Sequence, residues 1–260
     1  MQKSGEACAV ILVKAAPQVG RKHGELVCCA GISYDPHKPT PPEWLRLYPI
    51  SFRHLDDAQQ FTRWDIVRFR WHLPSNDRRP ESRRVEHETL EIIGKLDSVT
   101  EKQHAVASLI VTSLEREREK GKSFALLRPE IEEFFWRKKT REQLEKEEAM
   151  FRAARSQGDL FSKRALPEYK PCPYEFCYRY RTDDGVRTGT CQDWETDATF
   201  FKWFPRYGEK GTLLEMQKTY GVKYPSEGML LAMGTHSQYP DTWLINGIIK
   251  LPPVDEPFLI

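Results

Sequence analysis

The sequence predicts an α+β protein made of two β-rich, OB-like barrel modules bridged by helices. Short apolar runs with period-two alternation and turn residues crowd both ends of the chain, as in residues 61–71 and 174–181. The middle is charged and helix-periodic instead. Between Trp44 and Arg84, apolar and aromatic residues interleave with arginines, the mixture that small barrels use to hold single strands. The boundaries that follow are 1–98 for an N-terminal β-rich module, 99–165 for a helical bridge and 166–260 for a C-terminal α+β module.

A chain of 260 residues, 39% hydrophobic, can bury a core without metal or disulfide support. With 30% charged residues and a mean hydropathy of -0.64, it contains no apolar run near the ~20 residues that span a bilayer, which argues against an integral membrane protein. The run Ala7 to Val13 is shorter than a signal core, follows Glu6 and precedes Lys14, so it reads as the first strand of a cytoplasmic protein. Six scattered cysteines fit reduced thiols better than a secreted disulfide framework.

Along the chain, Leu26 to Ile32 reads as a strand, residues 36–42 as an exposed proline-rich loop, and Leu55 to Gln60 as a short helix. Residues 99–120 read as one helix with Thr100 as its N-cap, closed by a charged run and Gly121. Strands are expected at 123–127 and 131–136, then a charged surface helix from Thr140 to Ala154. The proline-bearing stretch 166–171 marks a join. Tyr174 to Arg181 and Val186 to Cys191 form a hairpin around Asp183-Asp184-Gly185. Acids at Asp193 and Glu195 suit a helix start, helices follow at 196–204 and 211–220, and 229–234 with 242–249 close the chain as a strand pair.

The net charge is only +2, so polyanion binding has to come from a local patch. From Arg46 to Arg84 there are nine arginines, five acids and no lysine. Arginine grips phosphate bidentately and stacks on rings. The candidate phosphate contacts are Arg46, Arg53, Arg63, Arg68, Arg70, Arg78, Arg79, Arg83 and Arg84, with Trp44, Trp64 and Trp71 as candidate stacking platforms. The competing reading is an amphipathic sheet whose arginines are solvated and whose rings are core.

A zinc site would draw on Cys172, Cys177 and Cys191, one ligand short of a structural set, and Cys172 and Cys177 sit at odd spacing on an apparent strand. Buried thiols are the expectation there, as for Cys28 and Cys29. Carboxylates for a metal nuclease group at Asp183, Asp184, Asp193, Glu195 and Asp197, or at Asp77 and Glu91 with Lys95, without diagnostic spacing. Turn and cap chemistry explains most of them. No P-loop, G-x-G-x-x-G or G-x-S-x-G occurs, and Gly234-Thr235-His236-Ser237 reads as loop. No catalytic residue, metal or cofactor is assigned.

The stretch Leu26-Val27-Cys28-Cys29-Ala30-Gly31, followed by Trp44-Leu45-Arg46-Leu47-Tyr48-Pro49 and Phe52-Arg53, resembles the opening of bacterial proteins described as having a dual OB-containing domain, found at anti-phage defence and mobile-element loci. In those a Cys-Ala-Gly turn precedes a Trp-hydrophobic-Arg-x-x-Pro strand. The likeness covers about 60 N-terminal residues; here Leu-Tyr separates Arg from Pro, and a proline-rich insert precedes the Trp. It implies a nucleic-acid-sensing or scaffold role and carries over no catalytic residue. The expected function is a non-catalytic nucleic-acid-binding subunit or sensor, binding DNA or RNA beside a protein partner. The alternatives are a structural scaffold subunit and, third, a metal-dependent nuclease.

Overall fold

A computed structural model describes residues 3–20, 24–35, 41–50, 52, 55, 57–75, 77, 79–158, 169–236 and 239–253. The core of the proline-rich loop, 36–40, and residues 166–168 of the join at 166–171 lie outside these residues.

The N-terminal module is a closed five-stranded barrel. Strand β1 (Ser4–Lys14) pairs antiparallel with β3 (Gly24–Ser33), β3 with β4 (Trp44–Ile50), β4 in parallel with β6 (Ser82–Val85), and β6 with β5 (Asp65–His72). Pairing of β5 with β1 shuts the ring. The short β2 (Gln18–Gly20) lies beside β3 and β7 (Glu91–Lys95) beside β5. Cys29-Ala30-Gly31 therefore lies within a strand of this chain. A Cβ on Gly31 would meet the Val10 carbonyl, which explains the glycine.

Alternation decides what fills the barrel and what leaves it. Ala9 and Ile11 of β1 point inward with Leu47, Phe61, Val67 and Phe69. Val10 and Leu12 point the other way and are just as buried, because Ala30, Ile32, Trp44, Trp64 and Ile66 share that outer face and the C-terminal module covers it. An unbroken apolar run such as Ala9 to Val13 is what a strand covered on both faces requires. The covering layer is a four-stranded sheet in the order β14-β13-β9-β8, formed by β8 (Ile110–Val111), β9 (Phe124–Leu127), β13 (Met229–Thr235) and β14 (Trp243–Lys250). Phe124, Leu126, Leu230, Ala232 and Ile249 supply the contacts. The C-terminal sheet, which takes β8 and β9 from the 99–165 span, thus meets the barrel directly, sheet face on barrel face.

The expected helix over 99–120 is broken. Helix α1 (Val99–Val106) starts from Ser98 rather than Thr100, with a reciprocal Ser98–Glu101 capping box. Ile110 and Val111 leave the helix to pair with Leu126 and Leu127, as β-branched residues favour. Helix α2 (Leu114–Glu119) then begins at Ser113.

Behind this sheet, β10 (Glu130–Lys138), β11 (Tyr174–Thr182) and β12 (Gly185–Thr190) form a three-stranded sheet, whose hairpin turns at Asp183-Asp184 as expected. Helix α3 (Arg141–Gly158) covers the predicted charged helix. The expected pair of helices after Glu195 is present within α4 (Trp194–Lys218), two helical stretches joined across a kink at Gly208, whose φ is 65°, with Pro205 just before it. A π-helical turn, Thr219–Lys223, leads into α5 (Tyr224–Glu227). Phe134, Phe176, Tyr178, Phe200, Met216 and Tyr220 fill the core between these elements. No helix among the described residues is long and apolar enough to cross a membrane.

Candidate anion-binding cleft

Strand β5 alternates as its sequence requires. Phe69 and Trp71 turn into the barrel and Arg68 and Arg70 face out. The outward face carries both signs, however: Arg68 meets Glu91 at 2.6 Å, and Glu6 stands opposite Arg70 in the ladder. Arg84 is partly exposed opposite His72. Arg53 and Arg78 lie outside the described residues.

One of the candidate arginines is structural. Arg63 donates to the carbonyls of Leu12 and Ile248 and pairs with Asp193 at 3.0 Å, joining the barrel to β14 and α4. Burial works against its charge, but Asp193 and Glu195 more than offset this and raise its pKa. Arg46 is 3% exposed. The three tryptophans are core as well. Trp44 stacks on Phe124 with centroids 5.0 Å apart, Lys102 lies over Trp64, Arg83 lies over Trp71, and none of the rings is more than 8% exposed. They pack the seam and the barrel, where a base has no room to stack.

Arg46, Arg79 and Arg83 nevertheless converge. They line a cleft of about 810 Å³ between the barrel and the C-terminal module, together with Arg118, Lys122 and His236. The far wall depends on how α2 ends. Gly121 takes φ 71°, its N–H donates to the Arg118 carbonyl and that of Lys122 to the Glu117 carbonyl, a Schellman closure that turns Lys122 and Ser123 toward β4. Arg118 and Lys122 were not among the sequence candidates. Their run, Glu115 to Lys122, reads as an ordinary solvated helix end, and no spacing links it to Arg46.

The acids of the cleft are already engaged. Asp77 accepts from Arg79 Nη2 at 2.6 Å, Arg79 Nε at 2.9 Å and Ser82 Oγ at 2.7 Å. Burial by itself would raise the Asp77 pKa, and these donors outweigh it, so the carboxyl titrates below its usual range. Arg79 also donates to the Thr235 carbonyl across the cleft. Asp241 meets Arg118 at 3.0 Å. Glu81, buried behind the wall, accepts from Ser123 N and Oγ.

The nuclease candidates are committed elsewhere: Asp193 and Glu195 both turn to Arg63. Asp184 caps α2, accepting from Leu114 N at 2.7 Å, Asp183 bonds Thr112, and Asp193 caps α4. Asp77 lies in the cleft, whereas Glu91 pairs with Arg68 and Lys95 with Asp65. Among the described residues no cluster of three or more His, Cys, Asp or Glu side chains is placed to hold a metal ion. Cys172 and Cys177 are buried, Cys191 is partly so, and all are free thiols.

Comparisons with known proteins bear on the family alone. No protein of curated function matches the chain. A solved structure described as "Molecular basis for abrogation of activation of pro-inflammatory cytokines" covers 74% of this chain and 77% of its own at 7% identity and a TM-score of 0.30, a likeness too slight to bear on fold or function. Residues 6–109, the barrel and α1, match the Domain of unknown function (DUF8758). Residues 104–258, well over half of the chain, match the Domain of unknown function (DUF8757), and the chain belongs to that family.

Proposed function

We propose that this protein binds nucleic acid without cutting it, holding strand phosphates in the cleft between the barrel and the C-terminal module, as a cytoplasmic subunit or sensor that works with a protein partner. The charge balance of the cleft supports this most directly. Arg46, Arg79, Arg83, Arg118 and Lys122 face Asp77 and Asp241. Both acids are held by arginines, which leaves Arg46, Arg83 and Lys122 without a carboxylate partner among the described residues. Guanidinium and ammonium groups in a concave, partly desolvated setting attract phosphate strongly. The C-terminal sheets then act as the second half of a two-module grip, the role expected of an OB-like pair.

Fluorescence anisotropy with labelled single-stranded DNA, RNA and duplex, at two salt concentrations and with or without magnesium, tests the reading. Affinity should fall steeply with salt, and the double variant Arg83→Gln/Lys122→Gln should lower the salt slope by about 1.4 to 1.8, the loss expected for two phosphate contacts. The strands should stay intact. Absence of salt-sensitive binding by the folded protein would sink the proposal in favour of a scaffold, and magnesium-dependent cleavage in favour of a nuclease.

A further inference from the structure

Arg46 differs from every other cation of the cleft. It is 3% exposed, yet it lines the cavity, and no carboxylate pairs with it among the described residues. Its hydrogen bonds are long: Nη2 reaches the Ser123 carbonyl at 3.4 Å and Oγ at 3.3 Å, and Nη1 reaches Cys28 Sγ at 3.8 Å. Nε is buried with no partner. The guanidinium lies 4.0 Å over the Phe124 ring, whose own stacking on Trp44 holds it in place. Asp77 is committed to Arg79 and Ser82, and Glu81 to Ser123, so neither pairs with it. Arginine stays protonated even when burial lowers its pKa, as it does here. A fixed cation that lines an open cleft, held only by long hydrogen bonds and a ring and paired with no carboxylate among the described residues, is a prepared seat for an anion.

We propose that Arg46 forms the floor of a subsite for a phosphomonoester, the terminal phosphate of a nucleic-acid strand, with Arg83 and Lys122 at its rim. The inference rests on the nucleic-acid reading above and narrows it to strand ends. An internal phosphodiester carries one charge and a sugar on either side, which keeps its oxygens near the mouth of a cleft. A terminal phosphate carries up to two charges and enters end-on, so it reaches a buried guanidinium and matches the surplus of cations there.

The test compares one sequence with a 5′-phosphate, a 3′-phosphate or hydroxyl ends, as DNA and as RNA, by anisotropy at fixed salt. At least one phosphorylated end should bind about tenfold or more tightly than the hydroxyl-ended strand. Inorganic phosphate and a nucleoside monophosphate should compete that preference away in the unmodified protein, which needs no variant to fold. Arg46→Gln, with folding checked by circular dichroism, should bring the phosphorylated strand down to the hydroxyl-ended affinity. Equal affinity for all ends overturns the subsite and leaves the broader reading standing. Binding of nucleoside monophosphate with no binding of any strand supports the subsite as a nucleotide site and sinks the strand reading. Failure of every probe overturns both.

Discussion

The Arg63 guanidinium lies 3.0 Å from the Asp193 carboxylate, and through this pair the turn before β5 grips the residue that caps α4. Asp193 also accepts from Ile248 N at 2.7 Å, while Arg63 donates to Leu12 and Ile248 carbonyls. The preceding turn is built for it. Asp65 accepts from Thr62 N at 2.6 Å, and Trp64 is held at φ 74°, an uncommon conformation for a bulky residue. The barrel and the C-terminal module are therefore locked by a buried ion pair here, beside the apolar seam and the hydrogen bonds of Arg79 and Glu81 at the cleft.

Replacing Arg63 by Met should destabilise the protein by about 3 kcal/mol, because it strands a buried carboxylate. Arg63→Lys should rescue only part of this, since one ammonium nitrogen cannot reach the separate acceptors, the Leu12 and Ile248 carbonyls and the Asp193 and Glu195 carboxylates, that the three guanidinium nitrogens contact. Urea unfolding measures both, and an unchanged midpoint in the Met variant would refute the structural role.

Asp197, partly buried near Asp193 and Glu147, has its pKa pushed up to about 7, chiefly by burial and against the pull of Lys139. In the unfolded chain it titrates near 4. Between those values the folded state holds the extra proton, so stability falls as pH rises from about 4 to about 7 and is flat beyond. Asp197→Asn should remove that decline and gain about 1–2 kcal/mol relative to the parent at pH 8, with little gain at pH 4. Three pH units correspond to roughly 4 kcal/mol, and residual solvent contact reduces the effect. Parallel Tm-against-pH curves for parent and variant would contradict this.

Asp184 has the opposite sign. Burial would raise its pKa, but donation from Ser113, Glu115 and Leu114, with Arg187 nearby, lowers it. The stability it provides is complete above its unfolded pKa of about 4 and lost as pH falls through the folded value. Asp184→Ala should cost about 1–2 kcal/mol at pH 7, as loss of a helix cap does, and much less at pH 2. Chemical denaturation at the two pH values decides the matter.

Burial pushes the Cys172 thiol up to about 12 and raises Cys29 and Cys191 further above the ordinary range. Cys28 is only partly buried and lines the cleft beside Arg46. A maleimide reagent should therefore label Cys28 well before Cys172, Cys29 or Cys191, and bound phosphomonoester should slow that labelling. Elemental analysis should find no stoichiometric zinc, and about one zinc per chain lost on Cys172→Ser would overturn the thiol assignment.

The hairpin from Tyr174 to Thr190, the closing pair β13–β14, helix α3 and the outward turn of Arg68 and Arg70 were all legible in the sequence. Each follows from alternation, helical periodicity or a turn residue acting over a few positions. The break in the 99–120 helix was not, because it exists only through the pairing of Ile110 with Leu126 in a sheet finished by strands after residue 228. The arginines divide in the same way. Their abundance and interleaving with rings could be read directly, but Arg63 became a structural lock through Ile248, 185 residues away, while Arg46 gained a wall, a ring and no counter-ion from residues 123–124. Local spacing determined which residues alternate and where the chain turns. The tertiary structure alone decided which cations are neutralised and which are left facing an open cleft, because charge compensation and burial depend on distances in space between atoms far apart in the chain.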